Sequence, residues 1–593
     1  MSPLVPSALA ALALLDISSA IPTVFNRTQS YDYVIVGGGT CGLVIANRLT
    51  ELANVTVAIV EAGDSVLNNA NVTDVLGYGK AFGTDIDYAY ETVEQVYADN
   101  AKVELRAAKA LGGTSTINGM AYTRAPKAQI DSWEAVGNEG WNWESLWPYY
   151  LKHEKFQVPK DFQIANGADY VTAYHGVDGP VRIGWENGVI NGTIFDSFNA
   201  THDAVGIPYN ADMNGGDMRG FYFLPKFIDQ ANNSRVDAAT AYYYPVQDRT
   251  NLNLFTNTHV NKVIWNSTDG EAIAGGIEVT ASDGTVSHIY AKKEVIISAG
   301  SLRTPVVLEL SGIGNPDILS QYDIDVVVDL PTVGENLQEQ TNNAMFWDTN
   351  EDQSGVSSFV TYPTASDIFG SNTSVVANDI QAALTSYAEI VADASGNATK
   401  AADLLSFFQV QYDLVFKSEV PVTEIYTTVQ NAIFNIEFWG LLPFSRGSVH
   451  LGSADPTGKS LINPNYFMLD WDRQLQIASG KFLRDSIAVA EPVVGLIANA
   501  TSPSVSTLAT DADDAAWLNW IVAEYRPNFH PVGTAAMLPT EVGGVVSNKL
   551  IVYGTSNLRV VDASVLPFQV CGHLTSTLYA VAEKAADIIK ADL

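Results

Sequence analysis

Apolar residues near the start of the chain follow the pattern of a strand, a helix and a second strand. Tyr31–Val36 is a short run of aromatic and β-branched residues, the composition of a buried strand. A helical stretch runs from Leu43 to about Leu52, and a second apolar run covers Val55–Val60. Strands that alternate with helices are typical of a parallel sheet. The pattern therefore predicts an α/β fold that begins with this unit.

Three glycines fill the turn between the first strand and the helix. Gly37, Gly39 and Gly42 form a G-x-G-x-x-G pattern. In such a turn the first glycine permits the tight bend, the second lets a pyrophosphate approach the backbone, and the third lets the helix pack close to the strand. Glu61, at the end of the second strand, can accept hydrogen bonds from ribose hydroxyls. The stretch predicts a dinucleotide site and leaves NAD and FAD both open.

The rest of the pattern predicts a long mixed chain. A length of 593 residues indicates two or more domains. The predicted strands are Leu252–Phe255, Val260–Trp265, Ile273–Thr280, Val286–Tyr290 and Val295–Ser298. Helices are predicted over Thr304–Leu310, Arg473–Ile497 and Ala512–Tyr525, and from Cys571 to about Lys590. The tryptophans between residues 131 and 156, Trp133, Trp141, Trp143 and Trp147, are interpreted as core and interdomain packing.

The charge balance excludes two classes of partner. The chain has 32 Lys and Arg against 66 Asp and Glu, a net charge of −34. Such an acidic surface argues against nucleic acid and anionic membranes as partners. Outside the first residues, no run approaches the roughly 18–20 apolar residues of a membrane span, so no membrane insertion is predicted. The charge fits a neutral or cationic small substrate.

Several features favour a secreted glycoprotein. Residues 1–20 have the apolar core and small-residue end of a signal peptide, although their first segment lacks Lys and Arg. Asn-x-Ser/Thr sequons occur at Asn26, Asn54, Asn71, Asn191, Asn199, Asn232, Asn266, Asn372, Asn397 and Asn499. Cys41 and Cys571 are the only cysteines. Secretion would permit a disulfide between them, but their contexts favour two buried thiols.

A second loop of small residues, Gly112–Ser115, is either a ligand loop or a simple connection by composition alone. Its surroundings, from Ala108-Lys-Ala-Leu-Gly-Gly-Thr-Ser-Thr-Ile to Asn118, and the segment Gly300–Gly314 resemble two signatures of the glucose–methanol–choline (GMC) oxidoreductases. The resemblance covers nearly the whole mature chain. Within the family it is strongest to fungal FAD-dependent glucose dehydrogenases, through residues 111–124, 529–537 and 561–580, with the glucose oxidases next.

The resemblance implies FAD as the cofactor and a GMC fold. That fold combines a discontinuous Rossmann-like FAD domain with an α+β substrate domain that contains an antiparallel sheet. The implied FAD segments are residues 30–150, 226–335 and 526–593, and the implied substrate segments are 151–225 and 336–525. The implied FAD-binding residues are Thr40, Glu61, Thr114, Asn118, Gly119, Ala121, Val260, Ala563 and Thr575, together with Gly37, Gly39 and Gly42.

The resemblance also implies a catalytic histidine pair. Of eight histidines, His530 and His573 match it, with His530 as the base. Glu424 matches a carboxylate that orients the second histidine; the alternative is a surface acid. Arg526 and Asn528 match positions that hold glucose hydroxyls, with loop scaffolding as the alternative. Trp439 and Tyr122 are candidate sugar-stacking aromatics, with core packing as the alternative. No His/Cys cluster has metal-ligand spacing, so no metal is predicted.

These resemblances predict a secreted flavoprotein that oxidises β-D-glucose at C1 to D-glucono-1,5-lactone. Its electrons would pass to a quinone or an artificial acceptor. One alternative is a glucose oxidase that reduces O2 to hydrogen peroxide. Another is a family member that acts on a different sugar or an aryl alcohol. A third, from a different class, is a non-catalytic flavoprotein or storage glycoprotein.

Overall fold

The structure is a computed structural model that describes residues 29–349 and 355–593. The predicted signal peptide over residues 1–20 and the sequon at Asn26 lie outside the described residues. None of the helices within the described ranges is long and apolar enough to cross a lipid bilayer.

The helices of the described chain are α1 (Thr40–Leu49), α2 (Ala70–Thr73), α3 (Lys127–Ala135), α4 (Trp143–His153), α5 (Asp161–Ile164), α6 (Ile194–Ala204), α7 (Thr304–Leu310), α8 (Pro316–Ser320), α9 (Ala365–Phe369), α10 (Thr373–Ala394), α11 (Ala401–Phe416), α12 (Asp470–Phe482), α13 (Val493–Leu496), α14 (Asp514–Glu524) and α15 (Thr575–Ala591).

The strands are β1 (Gln29–Val36), β2 (Val57–Val60), β3 (Tyr90–Glu91), β4 (Glu104–Leu105), β5 (Glu154–Phe156), β6 (Val181–Ile183), β7 (Gly220–Phe223), β8 (Ile228–Asp229), β9 (Ser234–Arg235), β10 (Leu252–Phe255), β11 (Thr258–Ser267), β12 (Ile273–Ala281), β13 (Val286–Ile297), β14 (Ile313–Gly314), β15 (Val328–Asp329), β16 (Thr341–Thr349), β17 (Val356–Tyr362), β18 (Thr423–Gln430), β19 (Ile433–Gly440), β20 (Ser448–Leu451), β21 (Ser460–Asn463), β22 (Ile497–Ser502), β23 (Arg526–Pro527) and β24 (Leu558–Val560).

The first large sheet is built around the predicted strand–helix–strand unit. Its strand order is β10-β2-β1-β13-β12-β11, and β24 also pairs with β13. The pairings of β1 with β2 and β13, of β2 with β10 and of β13 with β24 are parallel. Every residue of β2 is buried, as expected for a parallel strand covered on both faces. The predicted α/β class is confirmed.

The second large sheet is entirely antiparallel. Its order is β22-β16-β19-β18-β17-β7, and β23 pairs with β16. Helices α12 and α14 pack against it and against each other. This sheet is the antiparallel sheet expected of the substrate domain. The short strand β23 matters most for the site, because it joins the segment that leads to His530 to the edge of this sheet.

Several element boundaries differ from the predictions. The first helix begins at Thr40, because Gly39 is its N-cap. The predicted strands Val286–Tyr290 and Val295–Ser298 are one strand, β13. The single helix predicted over Arg473–Ile497 is wrong in its last part: α12 ends at Phe482, a π-helical turn continues to Ile487, and only the short α13 follows the break at Pro492. Proline lacks an N–H group and disfavours helical backbone in the residue before it.

The tryptophan stripe and the cysteines follow their predicted environments. Trp133 and Trp141 are buried in the core next to the first sheet. Cys41 and Cys571 are both buried free thiols. Their sulfur atoms lie near different backbone carbonyls, those of Leu578 and Pro421, respectively. Both residues therefore act as small core side chains, and burial raises the pKa of each thiol.

Candidate active site

The first glycine turn is shaped by close backbone contacts. Gly37 has a φ of +103°, and a Cβ added there would lie 2.4 Å from the carbonyl oxygen of Ser298. A Cβ on Gly42 would lie 2.1 Å from the carbonyl oxygen of Gly37. Side chains at these two positions would push the turn away from the sheet and from α1. Gly42 therefore serves helix packing and does not line the cavity described below.

The second glycine loop packs directly against the first. Gly113 has a φ of +55°, and a Cβ there would lie 2.7 Å from the Cα atom of Gly39. The N–H of Gly112 donates to the carbonyl of Gly38 at 2.8 Å. The two loops thus present bare backbone to the same cavity. This arrangement decides the question that composition left open for residues 112–115: the loop is part of the site.

Glu61 links the glycine turn after β1 to the loop after β2. Its Oε2 accepts the N–H of Gly38 at 2.9 Å, and its Oε1 accepts the N–H of Gly63 at 2.8 Å. Burial raises the pKa of Glu61 to about 7, although these N–H groups favour the carboxylate. The side chain lines the cavity beside the glycine turn. Hydrogen-bond donors on a ligand here would restore the charged form.

A single elongated cavity connects the glycine loops with the histidine pair. Its volume is about 520 Å³. It brings together nearly all of the predicted cofactor and substrate residues. The members of that set that line it are Gly37, Gly39, Thr40, Glu61, Thr114, Asn118, Gly119, Ala121, Val260, Trp439, Arg526, Asn528, His530, Ala563, His573 and Thr575.

The chemistry of the cavity wall fits a dinucleotide cofactor. The N-terminal turns of α1 and α15 both line it, at Thr40 and Thr575, and helix N-termini favour phosphates and other anionic groups. Within the described residues, the buried atoms Ser298 Oγ, Ser301 Oγ and His259 Nδ1 have no hydrogen-bond partner. All three residues also line the cavity. Unpaired buried polar atoms are costly, so a polar ligand is expected to satisfy them.

His530 stands at the far end of the cavity with one ring nitrogen engaged. Its Nδ1 lies 2.9 Å from Gln340 Oε1 and 3.0 Å from Asn528 Nδ2. No protein group in the described chain is hydrogen-bonded to its Nε2. Burial holds the pKa of His530 well below its usual range, with smaller contributions from His573 and Arg526. The ring is therefore neutral at ordinary pH, as a proton acceptor must be.

His573 is held beside it by a buried carboxylate. The two histidine rings are perpendicular, with centroids 5.2 Å apart. His573 Nε2 lies 3.0 Å from Glu424 Oε1, and Glu424 is completely buried in β18. Glu424 is therefore not a surface acid, and its carboxylate contacts the second histidine of the pair. The backbone N–H of His573 also donates to Thr123 Oγ1 at 2.8 Å.

The side chains of Arg526 and Asn528, in the segment before His530, are both bonded to other protein groups. Arg526 forms an ion pair with Glu437 and donates to the carbonyl of Pro527. Asn528 Nδ2 donates to Gln340 Oε1 at 3.0 Å, and Asn528 Oδ1 accepts from Asn342 at 2.9 Å. Both side chains line the cavity, but the amide of Asn528 is already used to fix its neighbours.

The two candidate stacking aromatics have different positions. Trp439 lines the cavity, and its ring centroid is 6.1 Å from that of His573. Tyr122 does not line the cavity. It is fully buried, packs against Phe227 and accepts hydrogen bonds from Arg124 at 3.0 and 3.1 Å. Tyr122 is therefore a core residue, and its hydroxyl is occupied by hydrogen bonds from the buried Arg124.

Sequence reasoning missed several residues around the histidines. Tyr426 lies beside His573, with ring centroids 6.1 Å apart, and Tyr78 lines the cavity. Gln340 contacts His530 although 190 positions separate them. Tyr426 follows Glu424 by two residues, so both face the same side of β18. The polar run Gln338–Gln340, directly before β16, was a weak sequence signal for the contact between Gln340 and His530.

The fold and the site define an FAD-dependent oxidoreductase. The N-terminal family model of the GMC oxidoreductases matches residues 31–342, and the C-terminal family model matches residues 443–582. The chain belongs to the GMC oxidoreductase family.

Comparisons with individual proteins agree with this assignment. The chain is 44% identical to the glucose oxidase-like protein fsoC of Humicola fuscoatra, over 95% of this chain and 96% of that protein. It is 35% identical to a glucose oxidase of Aspergillus carbonarius, over 95% and 93%, respectively. The structure superposes on an FAD-dependent oxidoreductase from Chaetomium thermophilum with a TM-score of 0.85 and 27% identity, covering 95% of this chain and 99% of that chain.

Proposed function

We propose that this protein oxidises β-D-glucose at C1 to D-glucono-1,5-lactone, with His530 as the base. The observation that carries the proposal is the pair of perpendicular histidine rings at the end of the cofactor cavity. One ring is kept neutral by burial, and the other is held by Glu424. The names of the glucose oxidase relatives support glucose as the substrate.

The residues divide the chemistry of an alcohol oxidation between them. FAD, when bound, supplies the two-electron acceptor for the hydride that leaves the substrate carbon. His530 Nε2 takes the proton of the C1 hydroxyl, which makes loss of hydride from C1 easier. His573 hydrogen-bonds the same hydroxyl and shares its proton. Glu424 accepts from His573 Nε2 and so fixes how that ring faces the cavity.

For cofactor binding, we propose that the N-termini of α1 and α15 face the anionic groups of FAD. Thr40, Thr114, Asn118, Gly119, Ala121, Val260, Ala563 and Thr575 would contact it, with Gly37, Gly39 and Glu61 at its adenosine half. Gly42 would act only through the packing of α1 against the turn.

The cavity wall near the histidines supports a sugar over an aryl alcohol. Arg526, Asn528 and Trp439 form part of this wall, and Lys226 and Asn435 line the same cavity. Within the described residues, Asn435 Oδ1 and Trp439 Nε1 have no hydrogen-bond partner. A substrate with several hydroxyl groups would satisfy such atoms, whereas an aromatic ring would leave them unpaired. We propose that Trp439 and Arg526 contact the sugar.

We propose a quinone or an artificial dye as electron acceptor, on the strength of the dehydrogenase-like segments around both histidines. Oxygen is the second candidate, because the similar proteins include named glucose oxidases. The test supplies glucose with benzoquinone under anaerobic conditions and, separately, with air. Fast quinone reduction with little peroxide supports a dehydrogenase; strong peroxide production in air refutes it. A parallel panel of other sugars and aryl alcohols tests the substrate.

We also propose that the protein is secreted and acts on a sugar outside the cell. The signal-like residues 1–20, the sequons and the strongly acidic surface support this. N-terminal sequencing of protein from the native host's culture fluid tests it. A mature chain that starts near residue 21 is expected; an intact chain found only inside cells would contradict secretion.

The pH dependence of turnover should reflect the low pKa of His530. The base acts only when neutral, and it becomes protonated as the pH falls below its pKa. We therefore expect kcat/KM for glucose to stay constant as the pH falls through the ordinary histidine pKa of about 6.5, and to drop only at clearly lower pH. Steady-state rates at constant flavin content measure this. A drop centred near pH 6.5 would contradict a buried neutral base.

A further inference from the structure

The segment before β16 lies alongside the segment that carries His530. Strand β23 pairs with the start of β16, and the backbone of Gln338 exchanges two 3.0 Å hydrogen bonds with Val532. Between these pairings, the N–H of Asn528 donates to the carbonyl of Gln340 at 3.0 Å. Gln340 is therefore directly opposite the residues that flank Phe529, and its side chain is 1% exposed.

The orientation of the Gln340 amide is fixed from behind. Gln340 Nε2 donates to the carbonyl oxygen of Leu441 at 3.0 Å, and a carbonyl can only accept. Gln340 Oε1 must then be the atom that faces His530 Nδ1 at 2.9 Å. Because an amide oxygen is only an acceptor, this contact is a hydrogen bond only if His530 carries its proton on Nδ1.

The orientation of the Asn528 amide is fixed in the same way. Asn342 Nδ2 donates to the Glu437 carboxylate at 3.0 Å and to Asn528 Oδ1 at 2.9 Å. Asn528 Nδ2 therefore faces Gln340 Oε1, to which it donates at 3.0 Å. Gln340 Oε1 has two lone pairs, and it uses them for Asn528 and for His530.

Hydrogen bonds from two backbone N–H groups to the Glu339 side chain hold Gln340 and His530 side by side. Glu339 Oε1 accepts the N–H of Gln340 at 2.9 Å and that of His530 at 3.1 Å. Phe529, between Asn528 and His530, has a φ of +64°, in the left-handed region that non-glycine residues rarely adopt. Such a conformation persists only where its surroundings hold it in place.

We propose that Gln340 is a positioning residue that keeps the proton of His530 on Nδ1 and its lone pair on Nε2, toward the cavity. This role rests on the proposed function of His530 as the base. Without the oxygen of Gln340, the remaining neighbour of Nδ1 is Asn528 Nδ2, a donor 3.0 Å away. Nδ1 would then accept a hydrogen bond, the proton would move to Nε2, and the ring could no longer take a proton from the substrate.

The test compares Gln340→Met and Gln340→Glu with a matched control, Gln476→Met. Gln476 is equally buried, donates to the carbonyl of Phe438 in the same sheet, and does not contact His530. Nitrogen NMR of oxidised holoenzyme with ¹⁵N-labelled histidine reports which ring nitrogen carries the proton. A His530→Asn variant assigns the signal. We expect an Nδ1 proton in the parent and the control, and an Nε2 proton in Gln340→Met.

Turnover should follow the position of the proton. In Gln340→Met, kcat is expected to fall by about 10²–10⁴-fold, the range for losing a positioned base, with little change in KM. Gln340→Glu keeps an acceptor oxygen beside Nδ1 and should recover both the Nδ1 proton and much of the turnover. The control should keep the parental kcat.

Three results would overturn the role of Gln340. They are an Nε2 proton on His530 in the unaltered enzyme, an unchanged Nδ1 proton in Gln340→Met, and a Gln340→Glu variant no better than Gln340→Met. The first needs no variant, so poor folding of Gln340→Met leaves the proposal testable. The NMR result is also independent of the substrate. If the enzyme does not oxidise glucose, the proposed function fails while the tautomer is still measured.

Discussion

Replacement of His530 by alanine is expected to slow reduction of the bound flavin by glucose by about 10²–10⁴-fold, the usual contribution of a positioned base. His530 combines a lowered pKa and an unbonded ring nitrogen with a position 5.2 Å, between ring centroids, from His573. Flavin content should be unchanged, because His530 lies at the histidine end of the cavity, away from the glycine loops. Anaerobic stopped-flow measurement of flavin absorbance gives the rate directly.

The matched control for this experiment is His288→Ala. His288 lies on β13, is exposed, and contacts Glu278 at 3.6 Å and the Tyr290 hydroxyl at 3.4 Å on the surface. Its variant should reduce flavin at the parental rate. A His530→Ala enzyme that reduces flavin as fast as this control would refute the base assignment. The non-catalytic alternative is a separate question. It would be favoured only if the parent protein were inactive with every substrate of the panel.

Replacement of Gly113 by alanine is expected to yield a protein that retains little FAD. An alanine there would adopt a left-handed backbone, which costs about 1–2 kcal/mol, and its Cβ would lie 2.7 Å from the Cα atom of Gly39. Both loops would have to move apart, and both line the cavity. The ratio of flavin to protein absorbance after purification, and after dialysis against excess FAD, measures the loss.

The control for the loop experiment is Gly188→Ala. A Cβ at Gly188 would meet no atom within 4 Å, so this variant should bind FAD normally. Circular dichroism of both variants separates loss of cofactor from loss of fold. Full flavin retention by Gly113→Ala would show that the contact between the two loops does not shape the cofactor site.

The end of the site that carries the glycine turn follows from short-range sequence. Gly37, Gly39 and Glu61 lie within 25 positions of one another, and a strand–turn–helix–strand unit brings them together by itself. Apolar runs in this unit are so regular that their element types were predicted correctly. Errors fell at boundaries, as at Pro492, where a local stop signal interrupts a pattern that otherwise remains helical.

The reactive end depends on contacts that pattern and spacing do not encode. Tyr122 is an aromatic residue of the kind that stacks on sugars, yet it is buried in the core, where its hydroxyl accepts a hydrogen bond from Arg124. Asn528 is a residue type that can bind sugar hydroxyls, yet its side-chain amide donates a hydrogen bond to Gln340. The resemblance supplied His530 and His573, but not the carboxamide of Gln340, which faces His530 from a segment 190 positions earlier.

By itself, the sequence determined the α/β class and the glycine turn, because each depends on local periodicity or on a motif of closely spaced residues. Its resemblance to the family supplied FAD and the histidine pair. Only the tertiary structure decided which polar groups surround His530 and which way their donors and acceptors face. The reason is physical: a hydrogen-bond chain such as Glu437–Asn342–Asn528–Gln340–His530 joins β19, β16, the residue before β16 and the loop after β23. Its direction exists only once those segments pack together.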